Sequence, residues 1–241
     1  MKNKDFAEFL GIMSGDGYLL IKRGKRKLYR IQFTLNKSED MYYFDHISEL
    51  SIKLFGIKPK KQMKKENAYH INIHNKKTVL FVESQGFPSG KKKNKLTIPK
   101  WILENKKYTR AFLKGLMETD GSLFFAKRGM YKINKYPVME IKCSDERFMK
   151  QVHKAFKTIG FEALFRRCKQ PGFDDAYKIQ LNGEKWLNKW IKEIGFNNLN
   201  YKTRYIVWMI IGYCPPKTNL KSRLDIIRRV GRSAYALDFR T

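Results

Sequence analysis

The stretch FLGIMSGDG, Phe9 to Gly17, decides the fold, because its pattern returns later in the chain. An apolar run reading as a short buried helix ends there in Ser-Gly-Asp-Gly, so Asp16 stands in a last turn that carries partial negative charge. A carboxylate at that place is disfavoured by a few tenths to ~1 kcal/mol. Either water solvates Asp16 or a cation joins it. At FLKGLMETDG, Phe112 to Gly121, Gly115, Asp120 and Gly121 repeat Gly11, Asp16 and Gly17, with Leu116 and Met117 matching Ile12 and Met13.

The rest of the chain follows at a similar offset. AYHINIHNKK from Ala68 meets AYKIQLNGEK from Ala176, Gly56 meets Gly160, and Gln85–Phe87 meets Ile194–Phe196. The chain therefore reads as two homologous halves: residues 1–98 and 111–212, with a connector at 99–110 and a basic extension at 213–241. YLLIKRGKRKLYRIQFTL carries two β-rich runs around Gly24, a hairpin signal. Tyr29, Ile31, Phe33 and Leu35 alternate with Arg30, Gln32, Thr34 and Asn36, which predicts a strand with one buried face. A helix follows up to Gly56, with Ser38 as its N-cap and acids in its first turn. AYHINIHN is another alternating strand, with Tyr69, Ile71 and Ile73 inward. Weaker strands are expected over 58–64 and 163–167, and a further helix ends at Gly86. The second half repeats these signals, so each half is expected to be αββαββα. The fold class is α+β, with antiparallel sheets and helices behind them.

Composition narrows the partners. The 241 residues hold 51 Lys and Arg against 22 Asp and Glu, a formal net charge of +29, while 42% hydrophobic residues place the chain among globular proteins. So much self-repulsion is relieved by a polyanion. Nucleic acid is the natural one, because each neutralised phosphate releases counterions. An anionic membrane surface is the rival, but no apolar run approaches the ~20 residues of a span. MKNKDFAEF has no apolar core of signal-peptide length, and Cys143, Cys168 and Cys214 form no CxxC pair. The expectation is a reduced, intracellular protein without structural zinc, in the cytoplasm or nucleoid of a prokaryote or in an organelle, and not secreted.

The outward strand positions are rich in side chains that bond to base edges. Arg23, Lys25, Arg30, Gln32, Thr34, His70, Asn72, His74, Lys127, Arg128, Glu140, Lys142, Lys178, Gln180 and Asn182 form the expected DNA-reading set. The alternative for any single strand is a solvated polar face. Basic runs such as KRGKRK, KPKKQMKK and GKKKNK would hold phosphates. Asp-Gly is itself a common turn dipeptide, yet here it occurs at equivalent places in a duplicated basic chain. If Gly11, Gly15 and Gly115 let two parallel helices pack closely, Asp16 and Asp120 meet at their ends. Gly17 and Gly121 suit the left-handed position just past them. Two facing carboxylates call for a divalent metal such as Mg²⁺, which takes one or two carboxylates and keeps waters and phosphate oxygens as its other ligands.

At these segments the sequence resembles the LAGLIDADG homing endonucleases: FLGIMSGDG and LKGLMETDG each fill the nine-residue motif. The resemblance implies a monomer with two pseudo-symmetric αββαββα halves, motif helices at their interface, and two sheets forming a saddle over a long asymmetric double-stranded DNA site. It places the metal acids at Asp16 and Asp120, with carbonyls contributed by Gly15 and Thr119. Mg²⁺ is the implied cofactor, with Mn²⁺ substituting and Ca²⁺ binding without supporting cleavage. Polar groups near the attacking water fall by position on Asn36 and Lys37 in the first half, and on Lys142, Cys143 and Ser144 in the second. Cleavage of both strands with short 3′ overhangs is the implied activity, and an intron-encoded origin fits the absence of flanking intein signals. The sixth motif position departs from the consensus Asp, with Ser14 in one half and Glu118 in the other. The competing reading is a maturase for intron RNA, or a DNA-binding regulator, on the same scaffold. A nonspecific nuclease would leave the polar strand surface unexplained.

Overall fold

The structure, a computed structural model, describes residues 2–24, 27–64, 67–129, 132–169, 172 and 174–234. Helix α1 (Lys4–Gly15) starts where the Asn3 side chain accepts from the Phe6 amide, and every residue from Phe6 to Gly15 is buried. A mostly apolar helix buried on every side belongs in a core, and its buried Glu8 and Ser14 are hydrogen-bonded. It is followed by β1 (Gly17–Lys22), β2 (Leu28–Asn36), α2 (Tyr43–Phe55), β3 (Lys60–Met63), β4 (Ala68–Ile73) and α3 (Lys76–Ser84). After the short α4 (Lys100–Leu103), the same order returns as α5 (Lys106–Asp120), β5 (Gly121–Ala126), β6 (Tyr136–Cys143), α6 (Glu146–Thr158), β7 (Leu164–Cys168), β8 (Ala176–Asn182) and α7 (Glu184–Glu193). Both expected weak strands are present as β3 and β7. The second-half helix α5 begins at Lys106, inside the stretch read as connector, capped by the Asn105 side chain.

Each half folds into one antiparallel sheet, in the orders β1-β2-β4-β3 and β5-β6-β8-β7. The registers correspond: Leu35 opposes Tyr69, and Cys143 opposes Tyr177. Alternation sends Ile31, Phe33, Leu35, Tyr69, Ile71 and Ile73 into the core with Met139, Ile141, Ile179 and Leu181. Aromatic rings fill both halves, with Phe6, Phe9, Phe55, Phe81 and Trp101 in the first and Phe156, Phe161, Trp190, Phe196 and Tyr201 in the second.

Close approach of α1 and α5 joins the halves. A methyl at Gly11 would strike the Phe112 carbonyl oxygen, one at Gly115 the Glu8 carbonyl oxygen, and one at Gly15 the Thr119 side chain. Small residues here allow backbone to lie on backbone. Two expectations need correcting. Gly17 and Gly121 are not left-handed: Gly121 is extended (φ −85°, ψ 174°) and neither has positive φ. They are glycines because a Cβ at Gly17 would lie 2.5 Å from the Met13 Cα, and one at Gly121 would meet the Met117 carbonyl. Ser38 does not cap α2, which starts five residues later. Instead the Asn36 side chain accepts from the Ser38 and Glu39 amides (2.8 and 3.1 Å), so Asn36 builds a turn that competes with helix.

Beyond the repeat, α8 (Leu199–Ile211) ends at left-handed Gly212 and α9 (Leu220–Ala234) packs on it. Among the described residues, no helix is long and apolar enough to cross a membrane.

Candidate active site

The crossing of α1 and α5 sets what happens at their C-terminal ends. Gly15 lies against Thr119 and the Asp120 amide, so Asp16 and Asp120 end on the same spot between the two sheets' first strands. Asp16 is half-buried, and Asp120 keeps solvent contact while its carboxyl is crowded by the surrounding protein. Burial, then the charges of Asp120 and Asp40, push the Asp16 carboxyl up to about 7, against the pull of Lys92. Burial also raises Asp120, again opposed by Lys92. Two carboxyls that both resist ionisation mark a place short of positive charge.

Lys92 was read from the sequence only as part of a phosphate-holding run. In the fold its ammonium donates to the carbonyls of Ser14 (3.0 Å), Met13 (3.4 Å) and Gly15, at the negative end of α1. The loop that carries it is anchored to β1, the Gly90 amide donating to the Leu19 carbonyl (2.8 Å) and Ser89 accepting from the Ile21 amide (3.2 Å). No local periodicity encodes such a placement. In the second half, Asn198 and Tyr201 take the corresponding helix end: the Tyr201 hydroxyl donates to the Gly121 carbonyl (2.7 Å) and Asn198 Nδ2 to the Glu118 carbonyl (3.4 Å). The two acids therefore have different surroundings.

The sequence reading also passed over Asp40. Its carboxylate accepts from the Asn36 amide (3.3 Å) and from Asn198 Nδ2 (2.7 Å), and burial raises its pKa. Asn36 itself, expected near the attacking water, has its side-chain oxygen committed to the turn; Lys37 is exposed beside it. By register Ser144, rather than Lys142 or Cys143, occupies the position of Asn36. Lys142 instead lies on the open sheet face opposite Lys178. The Thr119 hydroxyl is turned back to its own helix, donating to Gly115 and Leu116, which leaves only its carbonyl for a ligand.

The open faces carry most of the expected DNA-reading set. Gln32 opposes Asn72 and Thr34 opposes His70 in the first sheet; Glu140 opposes Gln180 and Asn182 opposes Val138 in the second. Asn72 is buried (5% exposed) rather than outward and open, and its Oδ1, like Arg30 Nε, has no hydrogen-bond partner. Burial lowers the pKa of His70 and His74, as do the neighbouring cations Lys64, Lys60 and Arg30. Glu140 is engaged by Lys178 (3.1 Å) and Gln180 (2.7 Å). Arg23 pairs with Glu83, Lys127 is exposed, and Arg128 lies over the Tyr136 ring. Lys25 lies outside the described residues.

A second cluster brings ligand-type atoms of Glu8, His46 and Glu118 within 4.8 Å of one another. Its members are already engaged. Glu8 meets His46 (2.7 Å) and Asn197 Nδ2 (2.9 Å), while Glu118 accepts from the Tyr43 hydroxyl (2.9 Å) and the Asn197 and Asn198 amides. Burial holds Glu118 above the usual carboxylate range. This is a polar network across the interface of the halves, satisfied by the protein itself.

The model of the LAGLIDADG-like domain family matches residues 107–195. No curated protein sequence matches the chain. Among solved structures, I-DmoI in complex with DNA and Mn is similar over 80% of this chain and 96% of that one, at 21% identity and a TM-score of 0.55. The LAGLIDADG meganuclease I-AabMI bound to uncleaved DNA is similar over 97% and 100%, at 15% identity and 0.56. The meganuclease I-SmaMI bound to uncleaveable DNA matches over 98% and 97%, at 12% and 0.56. The second half thus matches the LAGLIDADG-like domain model, and the chain as a whole shares the two-half fold of these structures.

Proposed function

We propose that the protein is a site-specific double-strand DNA endonuclease that uses divalent metal at Asp16 and Asp120. The observation that carries this reading is the meeting of two carboxyls, both with raised pKa, at paired helix ends between two open polar sheets. The donor set suits a hard cation: carboxylate oxygens with the main-chain carbonyls of Gly15 and Thr119 beside them. Three α1 carbonyls already hold one positive charge, the Lys92 ammonium, so this end of the helix attracts cations. Mg²⁺ bound there, or Mn²⁺ in its place, would lower the pKa of a bound water and stabilise the leaving oxygen of a phosphodiester.

The chain's own residues do the rest. Asp16 and Asp120 each serve one strand, and Lys92 places a fixed positive charge where phosphate charge develops. Arg30, Gln32, Thr34, His70 and His74 in one half, with Lys142, Lys178, Gln180 and Asn182 in the other, face the grooves. The unpartnered Asn72 Oδ1 and Arg30 Nε fit a surface completed by base edges or ordered water. The two faces differ in chemistry, since Val138 stands where Arg30 stands and Glu140 where Gln32 stands, which favours an asymmetric site. Phosphate contacts from the basic loops set the salt dependence.

Incubating a randomised duplex library with the protein and Mg²⁺, then sequencing the ends, tests the reading. One long asymmetric site cut on both strands, with short 3′ overhangs, supports it. Retention of a sequence or of structured RNA without any cutting gives the scaffold to a binding role.

A further inference from the structure

The segment after Tyr213 has no counterpart at the end of the first half, and the reading above leaves it without a role. Helix α9 sends Arg223 inward, where it is fully buried. The guanidinium donates from Nη2 to Glu39 Oε2 (2.5 Å) and Asn200 Oδ1 (3.0 Å), from Nε to Thr203 Oγ1 (2.9 Å), and from Nη1 to the Thr218 carbonyl. The Leu220 amide donates to the other oxygen of Glu39, Oε1 (3.1 Å). Both oxygens of a first-half loop acid are thus held by the start of the C-terminal helix. A buried guanidinium is tolerated only when its donors are met, and here each of its three nitrogens has an acceptor.

Glu39 belongs to the loop at 36–40 that closes on the first-half acid. Its amide is held by the Asn36 side chain, and its neighbour Asp40 bonds the Asn36 amide and Asn198 and acts on Asp16 through its charge. Among the described residues the second half shows no such tie. There the corresponding turn is closed locally, the Asp145 side chain accepting from the Phe148 amide (3.0 Å) at the start of α6.

We infer that Arg223 is a positioning residue: through Glu39 it fixes the 36–40 loop, and with it Asp40 and Asn36, against Asp16. Through Glu39 the C-terminal segment then tunes the first-half cleavage centre. This inference rests on the endonuclease reading for its catalytic consequence, but its structural half stands apart from it.

The test uses the full chain with Glu39→Ala, and with Glu39→Gln as the conservative rescue, since removal of the buried Arg223 risks the fold itself. Amide hydrogen exchange is measured without DNA, and single-turnover cutting is followed with each strand labelled, at saturating protein. Glu39→Ala is expected to speed exchange over residues 36–42 and to slow one strand about tenfold, the scale of a lost charge-assisted hydrogen bond. The other strand and DNA affinity stay unchanged, exchange changes elsewhere only at the Glu39 partners around Leu220 and Arg223, and Glu39→Gln, which keeps one acceptor oxygen, recovers part of the loss. Equal slowing of both strands, or unchanged exchange at 36–42, overturns the inference. If the wild-type chain cuts neither strand, the endonuclease reading falls, and exchange alone then decides whether the tie holds the loop.

Discussion

Replacing Asp16 with Asn is expected to make the metal-free protein more stable. In the fold, burial and the carboxylates of Asp120 and Asp40 push Asp16 from 3.8 to about 7. The folded carboxyl keeps its proton to higher pH than the unfolded one. Stability is therefore lost as pH rises between those two values, and the full cost is present above the folded pKa. A difference of about 3 pKa units at ~1.36 kcal/mol each sets an upper figure of ~4 kcal/mol. Asp16 is only half-buried, and solvent screening brings this to ~2 kcal/mol. For a chain of this size 1 kcal/mol moves Tm by about 2–4 °C, so Asp16→Asn should gain about 4–8 °C at pH 8 in EDTA by the same scaling. At pH 5.5, midway between the two pKa values, the gain should shrink to about half. Among the described residues no hydrogen bond to the Asp16 carboxylate is present to be forfeited. Thermal unfolding at the two pH values is the assay. A Tm at or below wild type at pH 8, or a gain that grows towards acid, refutes the reasoning.

Divalent cations relieve the same repulsion, so Mg²⁺, Mn²⁺ or Ca²⁺ should raise the Tm of the wild type and much less that of Asp16→Asn, as a thermal shift titration will show. Gly115→Leu puts side-chain atoms on the Glu8 carbonyl and should cost at least ~1–3 kcal/mol; Gly24→Ala, with open space around it, is the control, and equal melting temperatures would mean that α1 and α5 do not meet as described. Lys92→Met should slow cutting by about 100-fold with DNA binding retained. It should also move the pH–rate profile towards alkali, because Lys92 lowers the pKa of both acids.

Much of the fold was legible because it is written twice. Period-two alternation at 29–36 marked β2, and the matching AYHINIHN and AYKIQLN runs marked β4 and β8, with β4 ending two residues earlier, at Ile73. The acids of the candidate site were legible because a duplicated Asp-Gly has few structural explanations. What escaped depends on partners distant in sequence. Lys92 looks like any lysine of a basic run until the loop brings it to the end of α1. Asp40 and Glu39 were read as helix first-turn acids, since SED after an N-cap-type Ser is a helix signal; the Asn36 side chain and the C-terminal helix hold them in a turn instead. Gly17 and Gly121 were assigned to the left-handed region by local rule, whereas the preceding helical turn, at Met13 and Met117, is what excludes a Cβ.

The most direct test of the central claim is strand-resolved cleavage of the selected duplex by Asp16→Asn and Asp120→Asn beside the wild type, with DNA binding measured in Ca²⁺. The account predicts that neither variant makes a double-strand break while both bind the duplex nearly as well as the wild type. Double-strand cutting that survives either substitution, or that proceeds in EDTA, would contradict it.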